Sequence, residues 1–368
     1  MKKAMSKKAV IDRARETVAW LQTLPEAARL AWYLGDYSTP EQLAQWYAYL
    51  RYAIAEQVPG YGGSVGVDFG CAAGIGTCMM SAMGAGRVFG IEVRPASAAL
   101  ARKAADHFGA DDVRICENPF GAIPLLSESV DWVFLNQVFC DMTPGRFDPV
   151  VAELCRVLRP GGMLIFCDAN NPHCPATLQR LEHLFRDREV GDGTAEHPAG
   201  VLYRQRRDVI AGLAPDLAPE TVERLARDTC YLWGPGLKRA VREYVASGTW
   251  PCSPFTGDLD RSPVYPSDGA AIGNITDPFD LMARFESHGL TCRATVTPLE
   301  RPDDNVRLLE ALGGSQGFYI YGIKRDASGR PSSGRSARRV SWCRRMYGWI
   351  RRKSLMAAAR AVRALRRG

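Results

Sequence analysis

VGVDFGCAAGIG, residues 65–76, joins an apolar run to a glycine-rich turn and then to helix-compatible residues, Thr77 to Met83. The order predicts a buried strand, a tight turn and a helix start. Glycines at 70, 74 and 76 can take positive φ and let a ligand come close to the backbone. The free N–H groups at a helix start favour negative charge. Downstream, RVFGIEV places Glu92 at the end of a second strand, 22 residues after Gly70. A carboxylate there can accept hydrogen bonds from two ribose hydroxyls. Together these features predict a nucleoside-binding crevice at the carboxyl edge of a parallel sheet.

A dinucleotide fingerprint would need glycine at 70, 72 and 75, whereas residues 72 and 75 are Ala and Ile. The string instead resembles the first motif of the class I S-adenosylmethionine methyltransferases, with Asp68, Gly70 and Gly74 in register and Ala72 at the middle glycine. Later segments continue the resemblance. DDVRICEN (111–118) reads as a third strand, and SVDWVFLNQVFCDM (129–142) as a fourth strand and loop. PVVAELCRVLRPGGMLIFCDAN (149–170) reads as a helix, a Pro-Gly-Gly turn and a fifth strand; Arg156, Pro160, Gly161 and Gly162 match the family pattern. LMARFESHGLTCRATVTP (281–298) and GFYIYGIKR (317–325) supply a helix and two closing strands. The resemblance implies an α/β, Rossmann-like doubly wound sheet of about seven strands, the last one antiparallel.

It also implies roles. Asp68 and the backbone at Gly70, Ala72 and Gly74 would border the methionine part of the cofactor. Glu92 would hold the ribose, and Glu117 or Asn118 would meet the adenine edge. Asn136 and Gln137 would line the cofactor or face the methyl group. Tyr37, in GDYSTP, would lie near the cofactor carboxylate. For a catalytic base, Asp141 stands where many relatives carry histidine, and His173 follows the fifth strand in DANNPHCP; His183 and His197 are further histidines of the chain. Proximity catalysis without a base is an alternative. The loop after strand four reads LNQVF rather than Asn-Pro-Pro-Tyr, which argues against exocyclic-amine chemistry.

The chain divides into five segments. Residues 1–60 form a helical, aromatic-rich cap with a break at Pro25. Residues 61–170 are the cofactor half of the sheet, and 278–328 complete it. Residues 171–277 are an insertion with helical patterns in TLQRLEHLFRDRE, ETVERLARDTC and GLKRAVREYVASG, followed by an irregular Pro- and Gly-rich stretch. The insertion reads as a lid and substrate region, or as a helical appendage for dimerisation. Residues 329–368 are a basic tail with 12 Arg, 1 Lys and no acidic residue. The net charge is +7 overall and +13 in the tail, which leaves −6 for residues 1–328. The basic balance therefore says little about nucleic acid binding by the body of the chain. Residues 338–367 read as a basic amphipathic helix suited to an anionic membrane surface, an RNA arm or a solvated tail being the alternatives.

Hydrophobic residues make up 46%, enough for a substantial core, and no run of 18 apolar residues occurs. MKKAMSKKAV lacks the apolar centre of a signal peptide. The eleven cysteines contain no C-x-x-C pair and suit a reduced, cytoplasmic setting, peripheral to the membrane if the tail binds lipid. Cys167, His173 and Cys174 could hold zinc, but lack a second ligand pair nearby, so no metal is expected. The expectation is a methyltransferase that uses S-adenosylmethionine on a small-molecule or lipid-carrier-linked acceptor, at oxygen. The alternatives are an RNA methyltransferase guided by the tail, or a non-catalytic S-adenosylmethionine-binding module.

Overall fold

The computed structural model describes residues 4–118, 122–191, 201–266, 269–298 and 305–326. The expected tail helix, residues 338–367, and His197 lie outside them. The strands are β1 (Val65–Phe69), β2 (Arg87–Glu92), β3 (Val113–Glu117), β4 (Val130–Asn136), β5 (Leu158–Asp168), β6 (Leu290–Thr295) and β7 (Phe318–Lys324). They form one seven-stranded sheet in the order β3-β2-β1-β4-β5-β7-β6. The first five are parallel, and β7 runs antiparallel between β5 and β6. The order reverses between β1 and β4, so the crevice at their carboxyl ends is the expected ligand site of an open parallel sheet.

Side-chain alternation builds a core on each face. In β4, Trp132 and Phe134 pack toward α1 (Lys7–Gln22), α4 (Ile75–Ala82) and α5 (Pro95–Phe108). Val133 and Leu135 pack toward α6 (Phe147–Val157) and α11 (Pro278–Ser287). The period is that of a strand buried on both sides. Trp132 is fully buried, and its indole donates to Ser64 Oγ at 2.8 Å. The cap comprises α1, α2 (Ala31–Gly35) and α3 (Pro40–Leu50). Thr39 starts α3 with a reciprocal capping box: its hydroxyl accepts from Gln42 N at 3.2 Å and its amide donates to Gln42 Oε1 at 3.0 Å.

Between β5 and α11 lie α7 (Pro175–Val190), α8 (Val201–Leu213), α9 (Pro219–Asp228) and α10 (Gly234–Ser247). α8, α9 and α10 share a core of Tyr203, Ile210, Val222, Leu225, Leu237 and Val241. The three helical patterns read from sequence are present, and α8 is an addition. α12 (Asn305–Gly313), between β6 and β7, is another. α8 escapes the apolar period because Arg206 occupies a core position. It is fully buried, and its Nη1 donates to the equally buried Glu189 at 2.6 Å. Its Nη2 donates to Glu189 O, and its Nε to Ala226 O at 2.8 Å.

Candidate active site

The glycine turn is shaped by its neighbours. Gly70 has φ +83°, and a Cβ there would lie 2.5 Å from Val138 Cγ2. Gly74 has φ +76°, and a Cβ would meet Ala101 Cβ at 3.0 Å. Both glycines therefore serve the tight turn and its packing on the β4 loop and α5. Ala72 takes φ +49° without being glycine. The turn is tied to β2, since the amides of Gly70 and Cys71 donate to Ile91 O at 2.8 and 3.1 Å. Asp68 is buried at the end of β1 and accepts a 2.5 Å bond from the Thr77 hydroxyl in the first turn of α4. Burial pushes its pKa up to about 7; the Thr77 bond lowers it and Glu92 raises it further.

Glu92 ends β2 with its carboxylate held at both oxygens. Ala72 N donates to Oε2 at 2.9 Å, and Arg94 N donates to Oε1 at 3.0 Å. Burial raises its pKa, against these backbone bonds. The carboxylate can accept about four hydrogen bonds and the backbone of Val93 also contacts it, so acceptor capacity remains for a ligand hydroxyl. This is the fit test for a ribose, and the geometry passes it. Glu117 pairs with Glu92 in register and is exposed. Asn118 is buried, and its amide donates to Glu92 O at 2.8 Å. The structure thus gathers Asp68, Ala72, Glu92, Glu117 and Asn118 along the ends of β1, β2 and β3.

The cap brings an aromatic row to the same edge. Tyr37 is buried, stacks on Trp46 at 5.0 Å, and its hydroxyl accepts from Tyr33 at 3.2 Å. The negative charge of Asp68 is felt at both Tyr33 and Tyr37, which places the pair by the glycine turn. Tyr37 Oη is also 3.9 Å from a Cβ built on Gly76 at the start of α4. The row continues from Trp46 to Tyr49 at 5.3 Å, and from Tyr49 to Phe134 and Tyr319, each at 6.1 Å. Tyr49 donates to Asn136 Oδ1 at 2.9 Å. Trp20, by contrast, stacks on His107 of α5 at 4.5 Å and is packing.

The ends of β4 and β5 form the other wall. Gln137 is exposed and has φ +54°, a conformation that non-glycine residues rarely adopt; its amide donates to Cys167 O at 2.9 Å. Asp141 is exposed just beyond. Asp168, unremarked in the sequence, is fully buried and accepts from the amides of Cys140, Ala169 and Asn170 at 3.2, 2.7 and 3.4 Å. Burial pushes its pKa up to about 6, although the three amides oppose the shift.

The insertion's last segment reaches this wall. Ala271 N donates to Asp141 O at 3.0 Å, and Asn274 N to Cys140 O at 2.7 Å. Asn170 Nδ2 donates to Asn274 O at 2.9 Å. Residues 271–276 are therefore a strap laid across the loops after β4 and β5. His173 lies differently from Asp141: its Nε2 is 3.1 Å from Asp277, the residue capping α11, and its ring meets Phe279 edge-on at 5.4 Å. His173 is thus engaged with a helix cap. His183 is on α7. Cys167 sits against Tyr49 and Tyr319. Among the described residues no group of three His, Cys, Asp or Glu side chains could hold a metal ion.

Sequence reasoning missed Thr77, Tyr49 and Asp168. Tyr49 carried a signal, being an aromatic three residues after Trp46 on a capped helix.

Residues 67–166 match the family described as Methyltransferase domain. Malonyl-[acyl-carrier protein] O-methyltransferase of Methylococcus capsulatus is 45% identical over 80 residues, 21% of this chain and 26% of that protein. The match thus spans about a quarter of the relative's length. Among solved structures, an S-adenosylmethionine-dependent methyltransferase of Listeria monocytogenes is 11% identical with a TM-score of 0.42, covering 76% of this chain and 99% of that one. One from Mesorhizobium loti is 14% identical with a TM-score of 0.39, covering 75% and 98%. Residues 67–166 thus resemble a methyltransferase domain.

Proposed function

We propose that this protein transfers a methyl group from S-adenosylmethionine to an oxygen of a small-molecule or carrier-bound acceptor. The observation that carries the reading is the Glu92 carboxylate, clamped by the amides of Ala72 and Arg94 with acceptor capacity left over. Glu92 would bind both ribose hydroxyls. Glu117 and Asn118 would border the adenine, and Asp68, with the turn at Gly70, Ala72 and Gly74, the methionine part. Tyr37 and its neighbours would cover the glycine turn and exclude water.

The cofactor supplies a methyl group already activated for in-line displacement. The work left to the chain is to place the nucleophile and keep the site dry. Asn136 and Gln137 edge that space. Asp141 would take a proton from a hydroxyl acceptor; a carboxylate acceptor, ionised at neutral pH, needs no base. The stretch shared with the malonyl-carrier enzyme supports the choice of oxygen and makes malonyl-[acyl-carrier protein] the first acceptor to try. The strap supports a role for the insertion in acceptor choice, through its bonds to Cys140 and Asp141.

The test is release of S-adenosylhomocysteine with labelled methyl from S-adenosylmethionine, first with malonyl-[acyl-carrier protein] and then with a metabolite extract before and after nuclease treatment. Label on an acceptor oxygen, as a base-labile ester from a carboxylate or a base-stable ether from a hydroxyl, is the expected result. Label that disappears on nuclease treatment would replace this reading with RNA methylation. Cofactor binding without any transfer would make the protein a binding module.

A further inference from the structure

Arg180 lies on α7, and its guanidinium reaches back to the loop that follows β5. Its Nη2 donates to Asn170 Oδ1 at 2.7 Å and to Ala169 O at 3.4 Å. Asn170 is buried and fixed from two further sides. Its Nδ2 donates to Asn274 O, and its carbonyl accepts from Thr276 N at 3.2 Å. A neutral amide locked between the β5 loop and the strap therefore holds the guanidinium in place.

What the guanidinium lacks is an anion. Among the described residues no carboxylate forms an ion pair with it. Four other insertion arginines each have one: Arg186 with Glu182, Arg206 with Glu189, Arg207 with Asp208 and Glu223, and Arg224 with Asp228. The buried Asp168 lies close enough to favour the charged form, but its oxygens are taken by three backbone amides. Crowding around the guanidinium disfavours its charge and pulls its pKa down. Arg180 is exposed, so a guanidinium held by Asn170 and Ala169 O is open to a ligand arriving from solvent. The Nε and Nη1 hydrogens remain to make that contact, in a planar fork that matches an oxyanion.

We infer that Arg180 is a specificity-determining residue that receives an oxyanion of the methyl acceptor, a carboxylate or a phosphate, at the loop between β5 and the strap. This rests on the methyl-transfer reading and narrows its acceptor to an acid. Asn170 acts as the positioning residue for Arg180. The strap, by holding Asn170, links closure of the insertion to capture of the anion.

The test uses the full chain saturated with S-adenosylhomocysteine, so that cofactor binding is established separately by calorimetry. Malonate is followed by saturation-transfer NMR and inorganic phosphate by phosphorus line width, one arm for each source of the oxyanion. The parent should bind one of them, and the arm that responds names the source. Arg180→Gln should weaken that binding by roughly tenfold or more. Arg180→Lys, which keeps a point charge and loses the fork, should fall between. Affinity for S-adenosylhomocysteine and the melting temperature should stay at the parent values. Arg186→Gln, which removes an exposed cation of the same helix, should bind the anion as the parent does. The inference is overturned if neither anion binds the parent complex, if Arg180→Gln binds as the parent does, or if Arg186→Gln loses as much. Loss of S-adenosylhomocysteine binding in the parent would instead overturn the methyltransferase reading.

Discussion

The crevice and the insertion treat buried charge in opposite ways. At the crevice, Asp68 is answered by a hydroxyl and Asp168 by backbone amides, and burial pushes their pKa values up to about 7 and about 6. In the insertion, buried Glu189 is matched by buried Arg206, with further bonds to Ala226 O and Tyr231 N. A charge neutralised inside the fold holds helices together. A carboxylate held by uncharged donors keeps its own charge un-neutralised and a sensitivity to pH, which suits a place where a ligand arrives.

The largest effect should follow from breaking the insertion's pair. Arg206→Ala leaves Glu189 buried without its partner and should cost about 3–5 kcal/mol of stability, read by denaturant unfolding. Replacing both by apolar residues (Arg206→Met with Glu189→Leu) should recover most of that. A single variant as stable as the parent would remove the contrast between the regions.

Glu92→Ala comes next. It deletes two acceptors for the ribose and should weaken S-adenosylhomocysteine binding by about 1.5–3 kcal/mol per lost bond at most. Gly70→Val would be a blunter probe than Glu92→Ala, because it strikes Val138 and distorts the turn itself.

Asp68→Asn sharpens the comparison through pH. The folded pKa of Asp68 lies above its unfolded value. Its contribution to stability is fully present below about pH 4 and is lost as pH rises through about 7. Asn removes the charge and can still accept from Thr77. The variant should therefore gain stability over the parent, and gain more at pH 8 than at pH 5. An equal gain at both values would mean that the carboxylate is not held out of solvent.

Much of the crevice was legible because its signals are local. An apolar run, a glycine turn and an acidic strand end lie within 28 residues, 65–92, and each has one plain physical meaning. The contacts that complete the site are not local. Tyr49 meets Asn136 across 87 positions, and Asn170 meets Asn274 across 104. Residue type alone could not join them. α8 was obscured by Arg206, a cation on the face that otherwise reads Leu202, Tyr203 and Ile210. α12 is nine residues long and, among its described side chains, buries Leu308 and Leu312 alone. At glycines 70 and 74 the sequence predicts the positive φ that is found, but not that a Cβ there would meet Val138 and Ala101.

Smaller effects belong to the strap and the tail. Amides of residues 250–275 should exchange more slowly when cofactor and acceptor are both present. Protection indifferent to ligand would favour the dimerisation role for the insertion. We propose that residues 329–368 rest on anionic membrane through their arginines and Trp342 and Trp349. The full chain should then co-sediment with phosphatidylserine vesicles and a chain ending at residue 328 should not; equal pelleting would end that proposal.

The central claim is that the clamped Glu92 carboxylate binds the ribose of S-adenosylmethionine. Calorimetric titration of the parent and of Glu92→Ala with S-adenosylhomocysteine, with folding checked by circular dichroism, tests it directly. The account predicts one-to-one binding by the parent and a loss of roughly tenfold or more in the folded variant. Equal affinity in the two proteins, or a folded parent that binds nothing, would contradict it.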